Sequence, residues 1–110
     1  MAAASDLNAV KGFTGTFTGF QTLLEGTVHN GTHRAVGGSM GGGASPTDPL
    51  FWLHHSFIDK LWADWQASSN GKNPPNPSET LKPATIQTGV PFGVKVSSQL
   101  KISTLGYSYV

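Results

Sequence analysis

At 110 residues, with charged residues at only 12%, 14 glycines and seven prolines, the chain has room for one small domain with a modest core and long irregular segments. Seven Lys+Arg against six Asp+Glu leave a net charge of +1, which provides no basic field for nucleic acid or an anionic membrane. No cysteine is present, so disulfide frameworks and thiolate metal sites are excluded, and any metal must be held by histidine or carboxylate. The first ten residues lack the basic start and long apolar run of a signal peptide, and no apolar stretch reaches the roughly 18 residues a membrane span needs. The chain therefore reads as soluble, with its compartment open and the cytoplasm as one reading.

Taken in order, residues 1–20 set Phe13, Phe17 and Phe20 among Gly12, Gly15 and Gly19, a pattern too rich in glycine for a helix and read as mostly loop. Phe20 to Glu25 is expected to form a short helical turn. Val28 to Val36 forms a second, stopped by Gly37 and Gly38. The glycine-rich run to Thr47 is a flexible connector. Asp48 is a good N-cap and Pro49 fits the first helical position, where a missing N–H costs nothing, so a long helix starts there and runs to about Ala67. Leu50, Phe51, Leu53, His54, Phe57, Ile58, Leu61, Trp62 and Trp65 recur at three- and four-residue steps, leaving Ser56, Lys60 and Asp64 for a narrow wet strip. Such a helix is expected to be buried on most sides, with Trp52, Trp62 and Trp65 as core and interface. Ser68 to Pro83 is a loop by its breakers, with polyproline-like Asn73 to Pro77 on the surface. The tail from Thr85 to Val110 offers strand-like pieces at Val94 to Val96 and Leu100 to Thr104. The fold class is mainly α, followed by a Pro/Gly-rich loop and an irregular, partly β tail.

All four histidines, His29, His33, His54 and His55, fall within one 27-residue stretch. His29 and His33 leave the same side of a helix about one turn apart, a spacing at which two imidazoles can share a metal; alone, the same pair is common on helix surfaces. A third imidazole from the buried helix completes a three-histidine set. Imidazole suits copper, zinc, iron or nickel, and by affinity alone copper wins. Adjacent helical residues point about 100° apart, so one of His54 and His55 is a ligand and the other packs behind it. A single-metal zinc or copper site, open at its fourth position, is an alternative reading.

His29-Asn30-x-x-His33, Gly37-Gly38-x-Met40, then Ser45-Pro46-x-Asp48-Pro49-x-Phe51-x-x-His54-His55-x-x-Ile58-Asp59-x-Leu61-Trp62 resembles the second copper-binding motif of tyrosinases, catechol oxidases and molluscan-type haemocyanins. The likeness runs from Leu24 to Gln66, and Tyr107-x-Tyr109 resembles the tyrosine motif that closes the central domain of plant and fungal members. It implies the second-copper half of a tyrosinase-like four-helix bundle: 1–20 as lead-in, 21–67 as copper-binding helices and 68–110 as loop and tail. It implies His29, His33 and His55 as copper ligands, with His54 and Asp59 bracing them and Phe51 packed against the ligand rings. By the same resemblance Glu25 and Asn30 hold a water that helps deprotonate a phenol. Arg34 tunes access, and Met40, Gly42 and Gly43 line the mouth. Glu25 also fits a plain helix-end carboxylate and Arg34 a solvated charge. Asn30 begins an Asn-Gly-Thr glycosylation sequon, read as coincidental because a glycan there would sit on the metal site.

The implied chemistry is dioxygen-dependent oxidation of monophenols or o-diphenols to o-quinones at a pair of coppers, each held by three histidines. Four histidines furnish only one such set. The complementary first-copper half is then expected from a longer form of the chain, from another polypeptide or from a second copy. The rival function within the resemblance is oxygen carriage of the haemocyanin kind.

Overall fold

The computed structural model describes residues 2–81 and 93–110. They divide into two compact units, 1–72 and 73–110. In the first, α1 spans Ala4–Lys11, where a loop was expected from the glycine content. Its start is fixed locally: Asp6 accepts the Ala3 backbone N–H at 3.1 Å, satisfying one orphan donor of the first turn. α2 covers Phe17–Leu23, also earlier than its glycines suggest, and Thr16 caps it by accepting from the Gly19 N–H at 3.1 Å.

The two short helices expected at 20–25 and 28–36 are parts of one run. α2 passes without a break into a π-helical segment, Leu24–Asn30, and then into α3, Gly31–Val36. Hydrogen bonds in a π-turn reach one residue further than in an α-helix, which widens the turn and re-aims the side chains around it. His29 lies in that turn and His33 in α3. At the far end Gly37 takes φ 68° and ψ −156°, a conformation open essentially to glycine alone, and the helix stops. The expected flexible connector is instead two 3-10 turns, Gly38–Gly41 and Ser45–Thr47.

α4 spans Pro49–Ala67, as the capping residues indicate: Asp48 accepts from the Leu50 N–H at 2.9 Å. One of its faces packs on the α2–α3 run, where Val10, Phe20, Leu24, Val28, Leu61 and Trp65 form the core. The Trp65 indole stacks on Phe20 at 3.9 Å and donates to the Phe13 carbonyl at 2.7 Å. Each fully buried side chain of this size contributes roughly 1.5–3 kcal/mol of hydrophobic stabilisation. Burial stops short of the expectation for α4. Leu50, Leu53 and Phe57 keep 47%, 69% and 42% of their surface exposed, and Trp52 63%. Lys60 and Asp64 pair at 2.6 Å on the wet strip.

Among its described residues the second unit holds one antiparallel bridge, Thr80 to Lys95, flanked by backbone hydrogen bonds from Leu81 to Val94 and from Val96 to Glu79 at 2.9 Å. Val94 to Val96 thus contributes a single bridge. Leu100 to Thr104, expected as strand, leads into α5, Ile102–Leu105, ended by Gly106 at φ 83°. Tyr107 and Tyr109 face each other edge on at 5.7 Å. The part of the expected loop and tail at 82–92 lies outside the described residues. Among the described residues no helix is long and apolar enough to cross a membrane.

Candidate metal centre

The α2–α3 run and α4 bring all four imidazoles together. His29 Nε2 lies 3.4 Å from His55 Nε2, and His33 Nε2 lies 3.3 Å from the same atom. Nitrogens about 2.0–2.1 Å from a shared four-coordinate ion stand about 3.3–3.4 Å apart, so these separations are already those of a ligand set. The Nδ1 atoms face outward to acceptors. His29 Nδ1 donates to Asn30 Oδ1 at 3.0 Å, and His33 Nδ1 donates to the Met40 carbonyl at 2.7 Å. A neutral imidazole that donates from Nδ1 carries its lone pair on Nε2. Two lone pairs therefore aim at His55, and a cation there satisfies all three nitrogens where a single proton on His55 would serve them only in part.

His54 is close but differently engaged. It is the one buried polar residue among the described residues, 8% exposed, and its Nε2 donates to the His29 backbone carbonyl at 3.1 Å. Taken with His29 and His33 it also forms a group whose nitrogens fall within 4.8 Å of one another. The short Nε2 contacts of His29 and His33 run to His55, whereas the His54 Nε2 is engaged by the His29 carbonyl. Both residues have pKa values below the ordinary histidine value. For His54, burial is the largest cause, opposed by the bond to the His29 carbonyl and reinforced by His33 and then His29. For His55, burial again leads, followed by His29, His54 and His33. Imidazoles held neutral are in the form a metal needs.

Around this cluster Phe51 stacks on His55 at 4.0 Å and 25°, and stands 6.0 Å from His33. Asn30, expected with Glu25 to hold a water, has its side-chain oxygen on His29 Nδ1. Glu25 is exposed on the wall of a cavity of about 250 Å³ that reaches His29 and His55. Asp59 lines a neighbouring apolar cavity of about 350 Å³ with His55, Phe17, Ile58 and Trp62. The Trp62 indole N–H is buried there with no partner among the described residues. On the other side, Arg34, Met40 and Gly42 line a cavity of about 290 Å³ with Asn30 and His33; Gly43 is exposed nearby and is not among its walls. Met40 combines two roles missed in the sequence: its side chain is 1% exposed and its carbonyl holds His33.

Residues 1–68 match the profile of the family described as the common central domain of tyrosinase. A tyrosinase of Streptomyces antibioticus is 58% identical over 52 residues, covering 44% of this chain and 19% of that protein. The tyrosinase HcTyr1 of a Hahella species is 40% identical over 75 residues, 66% of this chain and 16% of that one. The G-type haemocyanin of Enteroctopus dofleini, units Oda to Odg, is 48% identical over 56 residues, 46% of this chain and 2% of that one. The chain thus spans about a fifth or less of the length of these relatives. No solved structure matches it.

Proposed function

Starting from the fact that the chain belongs to the family of the common central domain of tyrosinase, we propose that it is the second-copper part of a phenol-oxidising centre, with His29, His33 and His55 as the ligands of one ion. Copper is the cofactor of the family, and a donor set of three imidazole nitrogens suits it. The observation that carries the assignment is the meeting of three Nε2 atoms at 3.3 and 3.4 Å. When bound, copper supplies the redox chemistry with dioxygen that converts phenols and o-diphenols to o-quinones. The protein's own part is positional. Asn30 and the Met40 carbonyl fix two imidazoles, Phe51 holds the third, and the cavity bordered by Arg34, Met40 and Gly42 gives a phenol a path to His33. Glu25 lines a cavity with His29 and His55, and in this proposal it takes up the phenolic proton through solvent.

One three-histidine set is half of what a paired-copper site requires, so catalysis needs a complementary half, within a longer chain or on another polypeptide. A haemocyanin-type oxygen-binding role is the second reading, favoured by the similarity to the Enteroctopus protein. Native mass spectrometry of the copper-loaded chain tests the proposal. One copper per chain, lost in His55→Ala and kept in His54→Ala, is expected. Copper retained by His55→Ala would overturn the ligand set. Catechol turnover once the complementary half is supplied separates the oxidase from the carrier.

A further inference from the structure

The ring of His33 is held by a piece of backbone that only glycine can build. A carbonyl oxygen can only accept, so the 2.7 Å contact with the Met40 carbonyl places the proton of neutral His33 on Nδ1 and leaves its lone pair on Nε2. Reaching that position takes a sharp reversal directly after α3. The Gly37 N–H bonds back to the His33 carbonyl at 3.1 Å, Gly37 adopts φ 68° and ψ −156°, and Gly38 follows at φ 55°. The 3-10 turn Gly38–Gly41 then carries Met40 back over the imidazole, and its 1% exposed side chain anchors the turn. His33 is thus tied twice to the same loop, through its carbonyl and through its ring.

We infer that Gly37, Gly38 and Met40 are positioning residues that lock His33 in its Nδ1–H tautomer and aim its Nε2 at the metal. The inference rests on His33 as a ligand and adds what orients it. Outer partners of ligating histidines set ring orientation and ligand basicity, and their loss typically lowers metal affinity about 10–100-fold.

The glycines supply their own control. A Cβ added at Gly37 or at Gly31 meets nothing within 4 Å, so neither substitution introduces a clash. They differ in backbone: Gly37 is in the left-handed half of φ, whereas Gly31, at φ −61°, is ordinary helix. Nitrogen-15 spectra of the metal-free chain read the His33 tautomer directly, and Cu2+ competed against a chelator reads affinity. In the wild type His33 is expected as the Nδ1–H form. Gly37→Ala is expected to give a tautomer mixture and copper binding weakened about 10–100-fold, with Gly31→Ala unchanged in both. If Gly37→Ala does not fold by circular dichroism, Met40→Leu should keep the tautomer and Met40→Ala lose it.

A wild-type His33 protonated on Nε2 overturns the inference without any variant. So does a folded Gly37→Ala with the wild-type tautomer and affinity, or a Met40 pair that behaves alike. Failure of the ligand assignment would show separately, as copper retained in His33→Ala.

Discussion

His54 donates its Nε2–H to the backbone carbonyl of His29 at 3.1 Å, so the residue beside one candidate ligand fastens the helical turn that presents another. The carbonyl belongs to the π-helical segment Leu24–Asn30, whose hydrogen bonds reach one residue further than in an α-helix. His54→Ala leaves that acceptor unsatisfied and a void in a buried position, and should destabilise the fold by about 1–3 kcal/mol while one copper still binds. His55→Ala removes the nitrogen shared by both short contacts and should abolish binding at little cost in stability. Urea unfolding and copper stoichiometry on the two variants give the comparison. Equal copper loss in both, with folding intact, would contradict the division of roles.

The two tryptophans one turn apart on α4 should respond unequally to loss of the indole N–H. Trp65 donates to the Phe13 carbonyl at 2.7 Å, so Trp65→Phe should cost about 1–2 kcal/mol. Trp62 carries a buried donor with no partner among the described residues, so Trp62→Phe should stay within about 0.5 kcal/mol of wild type. Both keep an aromatic ring against Phe20 and Phe17 respectively. A penalty for Trp62→Phe as large as that for Trp65→Phe would mean the first indole is hydrogen-bonded in solution.

Acid should weaken the metal-free chain through His54 and His55. Burial lowers both pKa values in the folded state, so over the interval between those values and about 6.5 the unfolded chain binds more protons. Stability is therefore full above about pH 6.5 and falls as pH drops from there through the lowered folded values. Urea midpoints at about pH 7.5 and about pH 5.5 should differ in that sense, and the difference should shrink in a His54→Gln, His55→Gln double variant. A rise in stability on acidification would reverse the sign argued here.

What the sequence disclosed and what it hid follows the range of the forces involved. Asp48 and Pro49 fix the start of α4 through contacts one or two residues away, and such local chemistry is visible in a string of letters. The histidine spacing was equally legible, since the i, i+4 step and a third ring on the facing helix produce the Nε2 cluster. α1 was missed because Gly12, Gly15 and Gly19 coloured the reading of the whole of 1–20, although all three lie beyond Ala4–Lys11, whose start signal is the single carboxylate of Asp6. Leu100 to Thr104 was misread because β-branched Ile102 and Thr104 carry a strand preference that the local turn ending at Gly106 overrides. The exposure of Leu50, Leu53 and Phe57 has a different origin: hydrophobic periodicity tells which residues favour burial and is silent on whether this stretch of chain contains what buries them. Met40 could not be foreseen as a partner of His33, because a backbone carbonyl has no sequence signature beyond the two glycines that bend the chain toward it.

Gly31 and Gly71 should respond in opposite directions to alanine. Gly31 opens α3 with ordinary helical dihedrals, φ −61° and ψ −40°, and a Cβ added there meets nothing within 4 Å. Gly31→Ala removes backbone freedom from the unfolded chain without introducing a contact, and should stabilise by about 0.4–1 kcal/mol. A Cβ on Gly71 would run into the backbone carbonyls of Gln66 and Trp65 at the end of α4. Backbone cannot swing aside as a side chain can, so Gly71→Ala should destabilise by about 1–3 kcal/mol and loosen the helix end that carries Trp65. Thermal unfolding of the two variants beside wild type decides it: a raised midpoint for Gly31→Ala and a lowered one for Gly71→Ala are expected. A lowered midpoint for Gly31→Ala, with copper binding unchanged, would mean that the helix through His29 and His33 draws on flexibility at Gly31.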